Sequence, residues 1–172
     1  PAAVGRLVVF PALPEFSGRY PQIDLEIGLN DRPVDLIREG VDCVIRGGLT
    51  VDDSLVARPL VQMDQMTCAS PDYLRAHGVP QSLDDLNGHR MIEYFSSASG
   101  KRYGLEFQLG DDVRLINLPK QVSVNSAEGY LAACVAGYGL VQTPRYHVAQ
   151  QVREGSLQEV LSDCLPPRLA LT

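Results

Sequence analysis

The sequence lacks a long apolar run and a cluster of basic residues. It has no stretch of about 18 apolar residues that would span a membrane, and no charged start followed by an apolar segment, as in a signal peptide. The net charge is −6, and the arginines are scattered among acidic residues. A domain that grips phosphate backbones normally carries a basic face, so we do not expect this segment alone to bind nucleic acid.

Motifs for metal binding and covalent chemistry are also missing. The four cysteines, Cys43, Cys68, Cys134 and Cys164, lie in apolar contexts, form no CxxC pair and are not at ligand spacing from the histidines. This pattern favours buried, reduced thiols in a cytoplasmic protein over a metal site or a disulfide framework. We therefore predict no metal and no cofactor. His147 is predicted to occupy a surface or packing position.

No catalytic constellation is present either. GxSxG, HExxH, a P-loop and GxGxxG after a strand are all absent. His77 and His89 lie next to glycines that end helices, where a cationic side chain suits the free carbonyl groups. The acidic pairs at 52–53 and 111–112 are typical of solvated turns. The sequence therefore indicates a binding protein rather than an enzyme.

The clearest pattern that is present predicts a strand–helix–strand unit at residues 24–48. Leu25, Ile27 and Leu29 alternate with polar residues, and Asp31 can cap a short helix before a second strand at 43–45. Ligands of open parallel sheets bind beyond the carboxyl ends of the strands, so the loops at 30–32 and 46–48 are candidates for a binding site. Arg46 either meets a ligand carboxylate there or braces the loops by pairing with Asp31 or Asp42.

The rest of the chain alternates between helical and strand patterns. Residues 3–20 carry an apolar face at helical spacing, which Pro11 interrupts, so we expect a kink or a restart there. Strands are predicted at 55–60, 63–69, 91–95, 103–109, 113–118, 122–124, 140–142, 157–161 and 168–172, and helices at 71–76, 127–136 and 144–154. Their N-caps are predicted at Ser70, Asn125 and Thr143, with a capping box at Ser82 and Asp85. With an apolar fraction of 45%, this order predicts an α/β protein of two lobes.

Several pieces in this order resemble one known family. They are PALPEFSGRYPQ at 11–22, the stretch 24–48, SLVARPL, TCASPDYL and DDLNGH. Together they are similar to the effector-binding domain of LysR-type transcriptional regulators, bacterial proteins that join an N-terminal winged helix-turn-helix to a two-lobed sensor. By this resemblance the DNA-binding helices, the linker helix and the last sensor helix lie outside these 172 residues, and the start at Pro1 fits a segment of a longer protein.

The resemblance implies a fold like that of type 2 periplasmic binding proteins, with two Rossmann-like lobes joined by two crossover strands. Lobe I would comprise residues 1–66, completed by 168–172 and by residues outside the chain, and lobe II would comprise 67–167. A small effector, such as an organic acid or an aromatic compound, would bind between the lobes. The matching positions are Ala3, Val4, Asn30, Asp31, Arg32, Arg46, Gly47, Phe95, Ser96, Asn125 and Ser126. Many members have a hydroxyl where this chain has Ala3, so one contact to an anionic ligand is missing.

The leading hypothesis is an allosteric sensor domain that controls DNA binding by the missing half. The alternatives are a solute-binding protein of the same two-lobed fold and an unrecognised enzyme. Unpaired cysteines and the missing export signal count against an exported carrier. The resemblance also implies a homodimer, or a tetramer of the full-length protein, in which residues 5–29 face a helix from 126–154 of a second copy.

Overall fold

The computed structural model describes residues 1–31, 34–48, 55–97 and 99–172 of the chain. Within these residues the helices are α1 (Ala2–Val4), α2 (Phe10–Arg19), α3 (Leu36–Glu39), α4 (Pro71–His77), α5 (Ala127–Val135) and α6 (Arg145–Arg153). The strands are β1 (Val61–Met63), β2 (Gln65–Ala69), β3 (Glu93–Phe95), β4 (Arg102–Tyr103), β5 (Leu105–Leu109), β6 (Asp112–Ile116), β7 (Ser123–Val124), β8 (Val141–Pro144), β9 (Gln158–Val160) and β10 (Leu169–Leu171). Helices and strands are therefore mixed along the chain, with β3–β7 following one another without a helix between them.

Strand β2 is the centre of the main sheet. It pairs antiparallel with β8 on one side and with β9 on the other. Its side chains alternate between two apolar clusters, as the pleat of a strand requires. Met66 and Cys68 pack with Val148 of α6 and other buried residues, and Ala69 packs in a second cluster with Phe107. The sheet therefore has a core on each face.

The buried apolar side chains are concentrated between residues 66 and 161. The largest fully buried ones are Phe107, Ile92, Leu105, Leu140 and Leu157. Burying a side chain of this size contributes about 1.5–3 kcal/mol, so this region carries most of the hydrophobic stabilisation. Before residue 60, by contrast, Phe10, Ile23 and Leu25 leave 41%, 44% and 47% of their surface exposed.

A small two-stranded sheet connects the first part of the chain to its end. Strand β1 pairs antiparallel with β10, with Gln62 opposite Ala170. Gly47 forms a bridge to Leu171, and Arg46 exchanges two backbone hydrogen bonds with Thr172 at 2.7 and 2.9 Å. Residues from three distant stretches are therefore held side by side.

Three predictions that rest on local sequence are confirmed. Ser70 caps α4 by accepting a hydrogen bond from the Tyr73 amide, and Ser82 forms a capping box with Asp85. The predicted hairpin forms between β5 and β6. The predicted restart near Pro11 does not occur, because the π-helical turn Gly5–Val9 continues directly into α2 at Phe10. Only the hydrogen-bonding pattern changes there, next to a proline that has no amide hydrogen to donate.

The predicted strand–helix–strand unit at 24–48 is only partly formed. Residues 24–29 and 43–45 form no ladder with any described residue, and the helix between them is reduced to Leu36–Glu39. A strand is defined by its hydrogen-bonded pairing, and residues 24–29 pair with no described segment. As a result Leu25, Ile27 and Leu29 are exposed, and so is Cys43, which we had expected to be buried. The predicted strand at 55–60 is likewise absent, since the ladder begins at Val61.

Three predicted helix caps are wrong by one or more residues. Helix α5 is capped by Ser126, whose hydroxyl accepts from the Gly129 amide, rather than by Asn125. Helix α6 has Pro144 at its N-cap, so Thr143 remains in β8. The short helix α3 has Asp35 accepting from the Arg38 amide at 3.0 Å. Asp31, which we predicted to cap that helix, makes other contacts.

Candidate functional site

The carboxylate of Asp31 joins the starts of two helices that lie far apart in the sequence. Its Oδ1 accepts a hydrogen bond from the Ala2 amide at 3.0 Å, and its Oδ2 accepts one from the Ala127 amide at 2.8 Å. The first amides of a helix have no partner within the helix, and the helix dipole favours an anion beside them. The side chain therefore bridges α1 and α5. We call the space around this bridge the groove.

An ion pair joins the same two helical regions one turn further on. Arg6 donates to Oε1 of Glu128 at 3.0 Å. The two side chains are 50% and 49% exposed, so water screens the attraction and the pair contributes little energy by itself. Its importance is geometric, because it holds the first helical segment against α5.

Tyrosine side chains form part of the groove near Asp31. Tyr94 donates its hydroxyl proton to the Asn125 carbonyl at 3.2 Å, and its ring packs edge-on against Tyr103 and Tyr130. Burial and the negative charge of Asp31 raise the pKa of Tyr94 to about 12. The same two causes raise the pKa of Tyr146. Both hydroxyls therefore stay protonated at neutral pH, and the Tyr94 oxygen can still accept a hydrogen bond from a ligand while its proton is donated to Asn125.

His147 is buried beside the groove, so of the two predicted positions, surface or packing, it occupies the packing one. Only 5% of the residue is exposed, and its Nδ1 lies 3.2 Å from the Thr143 hydroxyl. Its Nε2 is buried without a hydrogen-bond partner among the described residues, 3.6 Å from Oε1 of Glu128. Desolvation lowers the pKa of His147, although the Glu128 and Asp31 charges oppose this effect. The imidazole is therefore neutral at pH 7.

A buried carboxylate lies on β3, just before Tyr94. Glu93 is paired with Lys120 and Arg102 and accepts a hydrogen bond from the Ser123 hydroxyl at 2.8 Å. Burial alone would raise the pKa of Glu93, but these three partners together hold it below its ordinary value. Arg102 also lies over the Phe95 ring, with Cζ 5.9 Å from the ring centroid. This network fixes the strand from which Tyr94 projects.

The predicted site residues fall into three groups. Asp31, Ala3, Val4, Ser126 and the Asn125 backbone lie at or beside the bridge between helix starts. Ala3 and Val4 are buried and Asn30 is exposed. Phe95 and Ser96 lie at the end of β3, where Ser96 closes the loop to Lys101 with a backbone hydrogen bond of 2.8 Å. Arg46 and Gly47 lie beside β10, while Arg32 is outside the described residues.

Arg46 does not brace the loops in either of the ways considered. Among the described residues its guanidinium forms no salt bridge to Asp31 or to Asp42.

The sequence patterns missed Arg6, Glu128, Tyr94, Tyr146 and His147. For His147 the local hint was Thr143 four residues earlier, but Thr143 lies in β8 and not in α6, so helical spacing does not apply to the two.

Two cavities lie away from the groove. One of about 570 Å³ is lined by residues around Asp64, Arg145 and Arg168, and one of about 210 Å³ lies between Val79 and Asp163. Within the described part of the chain, no cluster of three His, Cys, Asp or Glu residues could hold a metal ion. No helix described is long and apolar enough to cross a bilayer.

Solved structures with this fold are regulatory domains of transcription factors. The full-length virulence activator AphB of Vibrio cholerae, a member of the LysR-type family, superposes with a TM-score of 0.79 at 22% identity, over 99% of this chain and 57% of that one. The regulatory domain of CrgA from Neisseria meningitidis superposes with a TM-score of 0.73 at 28% identity, over 98% of this chain and 83% of that one. The predicted α/β fold of the type 2 periplasmic-binding-protein kind is confirmed.

The sequence agrees with the fold. The family model of the LysR substrate binding domain matches residues 1–172, and the chain belongs to that family. It is 40% identical over 161 residues to the HTH-type transcriptional regulator YhjC of Escherichia coli K12, covering 94% of this chain and 54% of that protein. It is 33% identical over 158 residues to an HTH-type transcriptional repressor of Pseudomonas aeruginosa, covering 92% and 50%. The chain spans about half the length of these relatives.

Proposed function

We propose that this chain senses a small molecule and passes the signal to a DNA-binding domain elsewhere in the same protein. The observation that carries the proposal is the Asp31 bridge, because it joins helix starts from residues 2 and 127 around one polar groove. A ligand that binds at this junction changes how the two regions are held together. A change in their relative position is the kind of signal that a linked domain can use.

We assign the two regions to lobe I (residues 1–66 with 168–172) and lobe II (67–167). The strands β1 and β10 connect them, and the Arg145 amide donates to the Asp64 carbonyl at 3.0 Å close to the junction. Movement of one lobe against the other then bends the chain near Asp64 and Arg168, which form an exposed ion pair at 2.8 Å. An exposed pair of this kind adds little resistance to the movement.

The proposed effector is a small organic acid or an aromatic compound. Helix amides and the guanidinium of Arg46 favour a carboxylate, and the Tyr94 and Tyr146 rings suit an aromatic group. The proposal includes no catalytic step, no cofactor and no membrane contact for this chain. The full-length protein would act in the cytoplasm and would contact DNA only through its N-terminal winged helix-turn-helix.

Thermal shift of this chain against a panel of small organic acids and aromatic compounds tests the binding step. A specific ligand raises the unfolding temperature because it binds only the folded state. Arg46→Ala and Ser126→Ala should weaken binding of the hit, while Arg75→Ala, an exposed residue on α4, should not. A hit that is unaffected by both groove substitutions would place the binding site elsewhere. If the hit does not change the affinity of the full-length protein for DNA, the regulatory function is refuted.

We also propose that the chain forms a homodimer. Val8, Phe10, Ile23, Leu25 and Leu29 are between 41% and 54% exposed, which is a large apolar surface for one region. Helices α5 and α6 expose Val135 and Val152, at 42% and 38%. In an isologous dimer the first surface of each copy covers the second surface of its partner.

Sedimentation at micromolar concentration tests the dimer. Leu25→Glu should shift the protein toward monomer, because it places a charge in the proposed interface. Val79→Glu is the control, since Val79 has a similar exposure of 43% but lies after α4. A wild-type chain that sediments as a monomer would refute the dimer, and a dimer resistant to Leu25→Glu would refute its location.

A further inference from the structure

The side chain of Asp31 places a carboxylate in the groove, and an organic acid carries the same group. Each of the two Asp31 carboxylate oxygens accepts one helix-start amide, from Ala2 and from Ala127. The first helical segment runs without a break from Ala2 to Arg19, and α5 has nine residues, so both starts carry the partial positive charge of a full helix. The carboxylate of a ligand has the same two oxygens at the same spacing.

A second feature points to a ligand with a further polar group. The Nε2 of His147 is buried with no hydrogen-bond partner among the described residues, although such an atom is normally satisfied. It faces the first turn of α5, 3.6 Å from Oε1 of Glu128, and the charges of Asp31 and Arg6 also act on it. A hydroxyl group on a bound acid would give this nitrogen the hydrogen-bond partner that no described residue supplies.

We infer that Asp31 is an internal competitor for the effector, and that the effector is a small hydroxy acid. Its carboxylate would replace Asp31 at the amides of Ala2 and Ala127, and its hydroxyl would contact Nε2 of His147. The loop that carries Asp31 is then released from both helices, so ligand binding and loop movement are one event. The inference rests on the proposed function, since it describes the same groove.

Asp31 also determines how strongly the groove selects its ligand. When an acid has no polar group other than its carboxylate, binding only replaces the Asp31 carboxylate at the two amides. The gain in binding free energy is small, because Asp31 is covalently tethered beside these amides. An acid that also contacts His147 gains a hydrogen bond that Asp31 does not make. The internal carboxylate therefore rejects simple acids and admits those with a hydroxyl in the right place.

The test empties the groove by substitution and refills it with a small acid. Asp31→Ala should unfold at a lower temperature than the wild type, and acetate should restore its stability more than chloride at equal ionic strength. The wild type should not respond to acetate. Asp35→Ala is the matched control, because Asp35 is in the same region and its carboxylate accepts the Arg38 amide of its own short helix. It should lose stability without an acetate response.

A pair of acids of nearly equal size tests the contact to His147. In Asp31→Ala, lactate should act at about tenfold lower concentration than propionate, which lacks the hydroxyl, and His147→Phe should remove the difference. The amide resonance of Ala127 provides a direct readout, since it should shift on addition of acid to Asp31→Ala and not to Asp35→Ala. Asp31→Ser also removes the carboxylate and leaves room for an added acid, so it replaces the alanine variant if that variant does not fold.

Specific results would overturn the inference. If Asp31→Ala is as stable as the wild type, or if acetate acts no better than chloride, Asp31 does not fill a carboxylate site. Equal responses to lactate and propionate would show that the ligand hydroxyl does not contact His147. These measurements require neither the natural effector nor DNA. Their outcome is therefore independent of the test of the regulatory function, and either hypothesis can be refuted while the other stands.

Discussion

Arg6 and Glu128 are separated by 121 residues in the sequence, yet the Arg6 guanidinium donates to Glu128 Oε1 at 3.0 Å. The pair lies one helical turn from the Asp31 bridge, so two independent contacts hold the first helical segment to α5. The two contacts differ in kind. Asp31 is half-buried and bonds to backbone amides, whereas the ion pair is exposed and bonds to side chains.

The Arg6–Glu128 pair is predicted to contribute little to folding. A double-mutant cycle with Arg6→Ala and Glu128→Gln, measured by urea denaturation, should give a coupling energy of about 0.2–1 kcal/mol. The coupling should fall at high salt, because both side chains are about half exposed. A coupling of several kcal/mol that is independent of salt would show that the pair is shielded from water.

The buried histidines predict a loss of stability in mild acid. Desolvation lowers the pKa of His147 and of His89 below their ordinary value of 6.5. The unfolded chain therefore binds protons that the folded chain does not, and the free energy of unfolding falls as the pH drops through and below about 6.5. Glu128, Arg6 and Asp31 act on His147, and His77 and Asp85 act on His89.

Urea denaturation between pH 7.5 and pH 5 measures this effect. His147→Gln should flatten the pH dependence, and so should His89→Gln, because glutamine does not titrate. His77→Gln is the control for His147 alone, since the His77 ring is exposed at the end of α4 and its charge acts on His89. A pH dependence that is unchanged in both buried-site variants would assign the acid sensitivity to other groups.

Local sequence predicted much of the second half of the chain. The Ser70 cap, the Ser82–Asp85 box and the β5–β6 hairpin depend on residues within a few positions of one another, so their patterns are visible in the sequence. The β2 strand is similarly clear, because each of its faces meets a core. The family resemblance supplied the fold class, which periodicity alone would not have given.

The rest depends on contacts between distant residues. Leu25 and Leu29 have the pattern of a strand, but a strand also needs a neighbour, and no pattern within 24–29 reveals whether one is present. Asp31 was predicted to belong to the candidate site and to cap its own helix, but its carboxylate bonds to the starts of two other helices. Its actual partner Ala127 is 96 residues away, and no local rule connects the two. The burial of His147 likewise results from packing between β8, α5 and α6.

Glu93 is predicted to be important for stability. Its side chain is 4% exposed, while its partners Arg102 and Lys120 are 59% and 38% exposed. Glu93→Gln keeps the shape but loses the charged hydrogen bonds, and it should lower the free energy of unfolding by about 1–3 kcal/mol. The remaining cations can reach water, which limits the cost.

Chemical denaturation at pH 7 provides the measurement for Glu93, with Glu106→Gln as the control. Glu106 is an exposed glutamate on β5, and its substitution should change stability by less than about 0.5 kcal/mol. Because the folded state lowers the pKa of Glu93, its contribution is present at neutral pH and is lost as the pH falls below its ordinary value of 4.5. Equal effects of the two substitutions would mean that the network around Glu93 is not stabilising.

Two glycines with positive φ are predicted to respond differently to alanine. Gly139 has φ +149°, and a Cβ there would lie 2.6 Å from the Arg90 carbonyl oxygen. That oxygen accepts the Leu140 amide at 2.9 Å, so the neighbouring backbone cannot move away without weakening the link between Met91 and Leu140. Gly155 has φ +75° but no atom within 4 Å of the same position. Gly155→Ala should therefore cost about 1 kcal/mol from backbone strain, and Gly139→Ala about 3 kcal/mol or more from strain and overlap together. Thermal and urea unfolding of the two variants compare these costs directly, and a Gly139→Ala protein no less stable than Gly155→Ala would show that Arg90 and Gly139 are not in close contact.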